Sequence, residues 1–144
     1  AEDAIRDLHA SRGLGDVYQR QLEKSVEFIF KSTEQEKVAL LEQSNIFVMP
    51  SVIYKKSVEG FGITYIEAAS YGKPSIGGIY GGEGDAIKSG QTGYLCNGND
   101  LNAIYDTLLK TLANDHYLEL GANALEFSKK FSWEKIIKEY ISLI

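Results

Sequence analysis

Asn45-Ile46-Phe47-Val48-Met49-Pro50-Ser51 carries four apolar residues in an unbroken row, stopped by proline. A strand with one wet face alternates polar and apolar residues. A continuous run predicts a strand covered on both faces, as in a parallel sheet. Pro50 offers no backbone N–H and ends the strand. Two runs downstream also read as short strands: Pro74-Ser75-Ile76-Gly77-Gly78, and Thr92 to Cys96.

Helical patterns alternate with these runs. One helix runs to about Ser44, with Ser32/Gln35 or Thr33/Glu36 as a capping box. Another spans about Gly62 to Tyr71, and Gly72 suits its C-terminal cap. A single helical turn is expected over 85–89. Leu101, Ile104, Tyr105, Leu108, Leu109 and Leu112 repeat at the helical period behind Asn99 as the expected N-cap. Helices over 115–129 and from Trp133, capped by Ser132, complete the chain. Residues 2–12 and 16–24 also read as helical, and Val26-Glu27-Phe28-Ile29-Phe30 as a short β-rich run. Strands alternating with helices predict an α/β fold, an open parallel sheet flanked by helices.

Ligands of such sheets bind beyond the carboxyl ends of the strands. Two segments fall at that edge: the loop from Ser51 to Gly62, and Gly78 to Asp85. The first ends in Val58-Glu59-Gly60-Phe61-Gly62-Ile63-Thr64-Tyr65-Ile66-Glu67. Gly60 and Gly62 flank Phe61 where a helix begins. Free N–H groups and the helix dipole favour a phosphate or sugar oxygen there. Glu67, one to two turns in, has two acceptor oxygens that match a ribose diol. Glu59 suits a sugar hydroxyl or positive charge at an anomeric carbon. The bland readings are a helix-capping carboxylate for Glu59 and a solvated helix residue for Glu67. The spacing of the two does not establish a hydrolase pair. Gly81-Gly82-Glu83-Gly84-Asp85 forms a second backbone-donor loop, in which Glu83 ranks last among the acidic candidates.

The remaining features narrow the function. The 144 residues suit one domain, and a net charge of -5 argues against broad nucleic-acid binding. The single cysteine, Cys96, makes no disulfide framework or cysteine metal site and reads as a small core residue. No apolar run approaches the roughly 18 residues of a membrane span. A reducing, cytoplasmic setting is therefore expected, and no signal peptide is visible. Lys55 and Lys56 read as solvated loop lysines, and His9 and His116 as surface or structural residues. Residue 1 is Ala and the only methionine is Met49, so a processed or partial product is expected.

Pro50-Ser51, Glu59-Gly60-Phe61-Gly62, Glu67-Ala68, Gly72-Lys73-Pro74, Gly81-Gly82, Gly90-Gln91-Thr92-Gly93 and Phe131-Ser132-Trp133 follow one another over about residues 25–144. This pattern resembles the C-terminal domain of retaining glycosyltransferases of GT-B fold. That family carries a Glu-x7-Glu element and includes glycogen and sucrose synthases and bacterial mannosyltransferases. The resemblance implies a Rossmann-like donor domain for a nucleotide-sugar, UDP- or GDP-linked. It implies Glu59 near the donor sugar as the catalytic residue, and donor contacts from Ser51, Gly60, Phe61, Gly62, Ile63, Glu67, Gly81 and Gly82. It further implies transfer with retention, no metal and no cofactor.

Asp85 stands where the family has Glu. The family's opening strand, Gly-Arg turn and downstream Lys do not precede Ala1. The resemblance therefore implies a partial donor domain over 1–144, lacking its first strand or strands. An acceptor glycan or lipid would be met through the N-terminal domain absent from this chain, with peripheral membrane attachment of the whole protein left open. Base recognition is expected around Phe30 to Thr33. An exposed apolar face is expected on the last helix. A sugar-nucleotide epimerase, a phosphorylase (for which Lys73 beside Pro74 is a poor cofactor lysine) and a non-catalytic sugar-nucleotide-binding module are the alternatives.

Overall fold

The computed structural model describes residues 25–143. The helices expected over 2–12 and 16–24, and His9, lie outside those residues. The chain divides into a unit over Ala1–Glu34 and a second over Gln35–Ile144. In the first, the expected β-run at 26–30 forms no strand. Its backbone carries no ladder pairing, and the stacked rings of Phe28 and Phe30 are largely exposed. β propensity alone does not make a strand; a partner edge must satisfy its backbone.

The second unit begins within α1 (Glu34–Gln43) and continues through β1 (Phe47–Met49), α2 (Ile63–Ser70), β2 (Ser75–Gly78), α3 (Glu83–Ala86) and β3 (Gly93–Cys96). It closes with α4 (Leu101–Leu112), α5 (His116–Ser128) and α6 (Trp133–Ile141). The three strands form a parallel sheet in the order β1-β2-β3, with Phe47 opposite Ser75 and Ser75 opposite Gly93. The α/β class and the three strands expected at 46–49, 74–78 and 92–96 are therefore present, but the cover on both faces expected of the first is not, because it lies at the sheet edge. Central β2 is buried along its whole length, whereas Val48 on edge strand β1 is open to solvent.

The core lies where α2 and α3 cover the sheet. Tyr65, Ala86 and Ile87 are buried there, with Phe47, Met49, Phe61, Ile66 and Leu95 packed around them. α2 turns its small residues Ala68 and Ala69 inward, and α5 supplies Leu120, Gly121 and Ala124. A Cβ on Gly121 would stand 2.3 Å from the carbonyl oxygen of Gly72, so only glycine lets α5 approach this closely.

Two expected boundaries shift. The short helix α3 starts at Glu83 rather than at 85, because the chain turns directly out of Gly82. The N-cap of α4 is Asp100, not Asn99: Asp100 Oδ1 accepts from the N–H groups of Asn102 and Ala103 at 2.9 and 3.3 Å. The side-chain oxygen must stand one residue before the first helical turn to reach those donors. Gly72 ends α2 as expected, with φ +69°, and the N–H groups of Gly72 and Lys73 close on the carbonyls of Ala69 and Ala68. Among the described residues, no helix is long and apolar enough to cross a membrane.

Candidate functional site

Each parallel strand ends in a loop on the same side of the sheet, and two of these ends meet the loop that returns to α2. β1 runs out into Pro50-Ser51, β2 into Gly78–Gly82, and the long loop from Val52 returns through Glu59 to α2. Their closeness follows from missing side chains. A Cβ on Gly78 would lie 2.1 Å from the carbonyl oxygen of Ser51, and one on Gly81 would lie 2.4 Å from that of Glu59. One on Gly82 would lie 1.7 Å from that of Gly60. Each glycine is a place where two backbones touch, and a methyl group would drive them apart.

The contact is also bonded. The Gly82 N–H donates to the Glu59 carbonyl at 2.9 Å. The sequence placed Glu59, Gly60, Gly81 and Gly82 in two loops; the fold joins them. Gly62 takes a left-handed conformation (φ +84°) and is the N-cap of α2, with no side chain closing its first turn. A Cβ there would run into the Tyr65 ring, so the ring lies against the helix start. Phe61 is half-buried against the ring of Phe131, while Ile63 is largely exposed.

Tyr65 is the hub that sequence reading missed. It is buried on α2, and its hydroxyl donates to the Met49 carbonyl at 2.5 Å, tying the helix to the end of β1. Ser51 Oγ stands 3.4 Å from the same hydroxyl. Burial raises the phenol's pKa above the usual tyrosine value; the Ser51 hydroxyl opposes that shift, and the charges of Glu83 and Glu59 reinforce it. Tyr65 stays a neutral donor. A large side chain two residues before Glu67, at a helical register facing inward, was the available signal.

Glu67 sits in the second turn of α2, half-exposed, with Oε1 2.8 Å from Lys37 Nζ. Its side chain is partly open to solvent, so its second oxygen is reachable by a ligand. Glu59 is half-buried beside the Gly81–Gly82 turn. Lys55 and Lys56 stand at the exposed tip of a tight turn closed by two Tyr54–Ser57 backbone hydrogen bonds, which supports their reading as solvated lysines.

Burial sets the acidic residues of the second loop apart. Glu83, placed last, is the one buried carboxylate among the described residues, at 1% exposure, whereas Asp85 is exposed. Residues flanked by glycines carry no periodic burial signal, so only the packing of the three loops reveals it. His116 is structural as expected: its ring bonds the Tyr94 hydroxyl at 3.1 Å and lies 3.4 Å from Glu119. Cys96 is buried in β3. Among the described residues, no group of three or more His, Cys, Asp and Glu side chains is arranged to hold a metal.

Comparisons with known proteins give the family and the fold. Residues 16–130 match the family described as glycosyl transferases group 1. Sucrose-phosphate synthase 4 of Arabidopsis thaliana is 39% identical over 98 residues, which is 67% of this chain and 9% of that protein. D-inositol 3-phosphate glycosyltransferase of Corynebacterium efficiens is 31% identical over 123 residues, 85% of this chain and 28% of that protein. Among solved structures, sucrose-phosphate synthase from Thermosynechococcus elongatus superposes with a TM-score of 0.72 at 29% identity, over 90% of this chain and 32% of that one. Anabaena HepE, solved in complex with UDP and glucose, gives 0.74 at 19% identity, over 99% of this chain and 37% of that one. The chain thus spans about a third or less of each of these proteins. It belongs to the group 1 glycosyl transferase family and carries part of a GT-B fold.

Proposed function

We propose that this chain is the donor-binding part of a retaining hexosyltransferase, which moves a sugar from a nucleotide-sugar to an acceptor. One observation carries the reading: Glu59 and Gly81–Gly82 are hydrogen-bonded into one wall at the carboxyl edge of the sheet, with Glu67 reachable on the adjoining helix. In this reading the α2 start and the Gly60–Ile63 backbone face the donor's diphosphate and sugar. Glu67 takes the ribose hydroxyls, Ser51 borders the sugar, and Glu59 lies by the anomeric carbon as the catalytic carboxylate. Positive charge developing there is stabilised by a carboxylate whose own backbone is tied to Gly82.

The donor is UDP- or GDP-linked, and no metal or further cofactor takes part. The acceptor, a glycan or a lipid, is met by the whole protein, whose remaining domain makes the other side of the cleft. The setting is cytoplasmic. UDP-glucose is the first probe, since a protein of the same fold has been solved with UDP and glucose.

Calorimetric titration with UDP, GDP and ADP, and with their glucose or mannose conjugates, tests the reading beside a Glu67→Ala control. Selective binding that weakens by roughly tenfold to a hundredfold in the control supports it. Binding that is equal in the control removes Glu67 from the site. Donor binding without transfer by the full-length protein would make the chain a non-catalytic module.

A further inference from the structure

Glu83 is buried to 1% exposure, and its Oε2 has no hydrogen-bond partner. Native proteins rarely leave a buried acceptor unpaired, because its lost hydration is not repaid. A carboxylate oxygen is the costliest acceptor to strand in this way. The position of the group says what the oxygen is kept for. Oε1 lies 3.0 Å from the point where a Gly78 Cβ would project, and Oε2 lies 2.7 Å from the corresponding point at Gly81. The carboxylate therefore runs along the inside of the Gly78–Gly82 loop. The Gly81 point is also 2.4 Å from the Glu59 carbonyl oxygen. The unpaired oxygen thus sits at the seam between the two loops of the candidate site.

What covers it is thin. Gly78, Gly81 and Gly82 have no side chains, while Ile79 and Tyr80 are exposed. At the seam, the Gly82 N–H bond to Glu59 is a single link. A small rotation about Gly81, which glycine permits at low cost, uncovers Oε2 without disturbing the sheet.

We propose that Glu83 is a specificity-determining residue whose free carboxylate oxygen accepts a hydrogen bond from one hydroxyl of the donor's sugar. The proposal rests on the donor-binding reading above. A sugar hydroxyl is a donor of the right size, and its bond to a carboxylate is charge-assisted. A site that buries an acceptor for a particular hydroxyl discriminates strongly against a sugar lacking it, since the acceptor is then stranded. The sugar hydroxyl supplies the bond that Oε2 lacks.

The test is a calorimetric comparison of the wild-type chain with Glu83→Gln. The ligands are UDP, UDP-glucose and UDP-glucose analogues each lacking one sugar hydroxyl, or GDP and the matching GDP-mannose series where GDP is the nucleotide bound. The expected result is unchanged binding of the free nucleotide and roughly tenfold weaker binding of its sugar conjugate in the variant. One deoxy analogue should lose the same factor against wild type and nothing more against Glu83→Gln. Equal losses in both proteins for every analogue overturn the proposal, as does a variant that loses nucleotide and conjugate alike. Glu83→Asp, which withdraws the carboxylate by one methylene, replaces the glutamine variant should that not fold. Wild type that binds neither nucleotide nor conjugate overturns the donor-binding reading itself. Nucleotide binding with no role for Glu83 leaves that reading intact.

Discussion

The amide of Gly82 donates to the carbonyl of Glu59 at 2.9 Å, joining two loops that stand more than twenty positions apart in the chain. A methyl group on Gly82 would lie 1.7 Å from the Gly60 carbonyl oxygen, well inside contact distance. Gly82→Ala should therefore part the loops. We expect a loss of about 1–3 kcal/mol in stability, the usual cost of overpacking, together with loss of donor binding. Urea unfolding and donor titration of the variant check both effects.

Glu67→Ala should separate stability from binding. Its ion pair with Lys37 is about one-third exposed on both sides, and pairs of that kind contribute about 0–1 kcal/mol. Unfolding should therefore shift little while nucleotide affinity falls. A variant that loses stability and binding in proportion would place Glu67 in the framework rather than at the ligand.

Tyr65→Phe removes the hydroxyl that bonds the Met49 carbonyl. The Ser51 N–H still donates to that carbonyl at 2.8 Å, so the acceptor is not stranded. The expected cost is about 1 kcal/mol. The folded-state pKa of this phenol is raised, first by burial and then by Glu83 and Glu59, against the opposing Ser51 contact. Its stabilisation is complete below the unfolded tyrosine value of about 10 and is lost as pH rises through the higher folded value. The stability gap between wild type and Tyr65→Phe should therefore narrow above that pH. Unfolding curves of both proteins across pH 9–11, roughly bracketing that value, give the comparison.

The two cap candidates of α4 should differ sharply. Asp100→Ala removes an acceptor for two backbone N–H groups and should cost about 0.5–2 kcal/mol. Asn99→Ala, one residue outside the cap, should leave the unfolding midpoint nearly unchanged. Equal effects would move the cap.

Trp133, Ile137, Tyr140 and Ile141 present an exposed apolar face on α6. The chain should self-associate as its concentration rises, and Ile137→Lys should suppress this. Sedimentation velocity of the two proteins at matched concentrations reads the difference.

Local composition carried much of the fold. The apolar run at Ile46–Met49 and the short run at Pro74–Gly78 specified parallel strands, of which only the central β2 is buried throughout, and the 3.6-residue rhythm from Leu101 to Leu112 specified a helix. The glycines and carboxylates of the Glu59–Glu67 segment marked the candidate site, because backbone donors and carboxylate acceptors suit a phosphate and a sugar. These features depend on neighbours within a few residues. Val26–Phe30 shows where that logic stops: its residues favour a strand, but no edge pairs with it. Tertiary structure alone decided that Glu59 and Gly82 share a hydrogen bond, that Tyr65 locks α2 to the end of β1, and that Glu83 rather than Asp85 is buried. The first and third depend on backbones meeting where side chains are missing, and the second on a buried hydroxyl reaching a strand-end carbonyl. That closeness is set by how the ends of β1 and β2 converge with the loop returning to α2, and no local pattern encodes it.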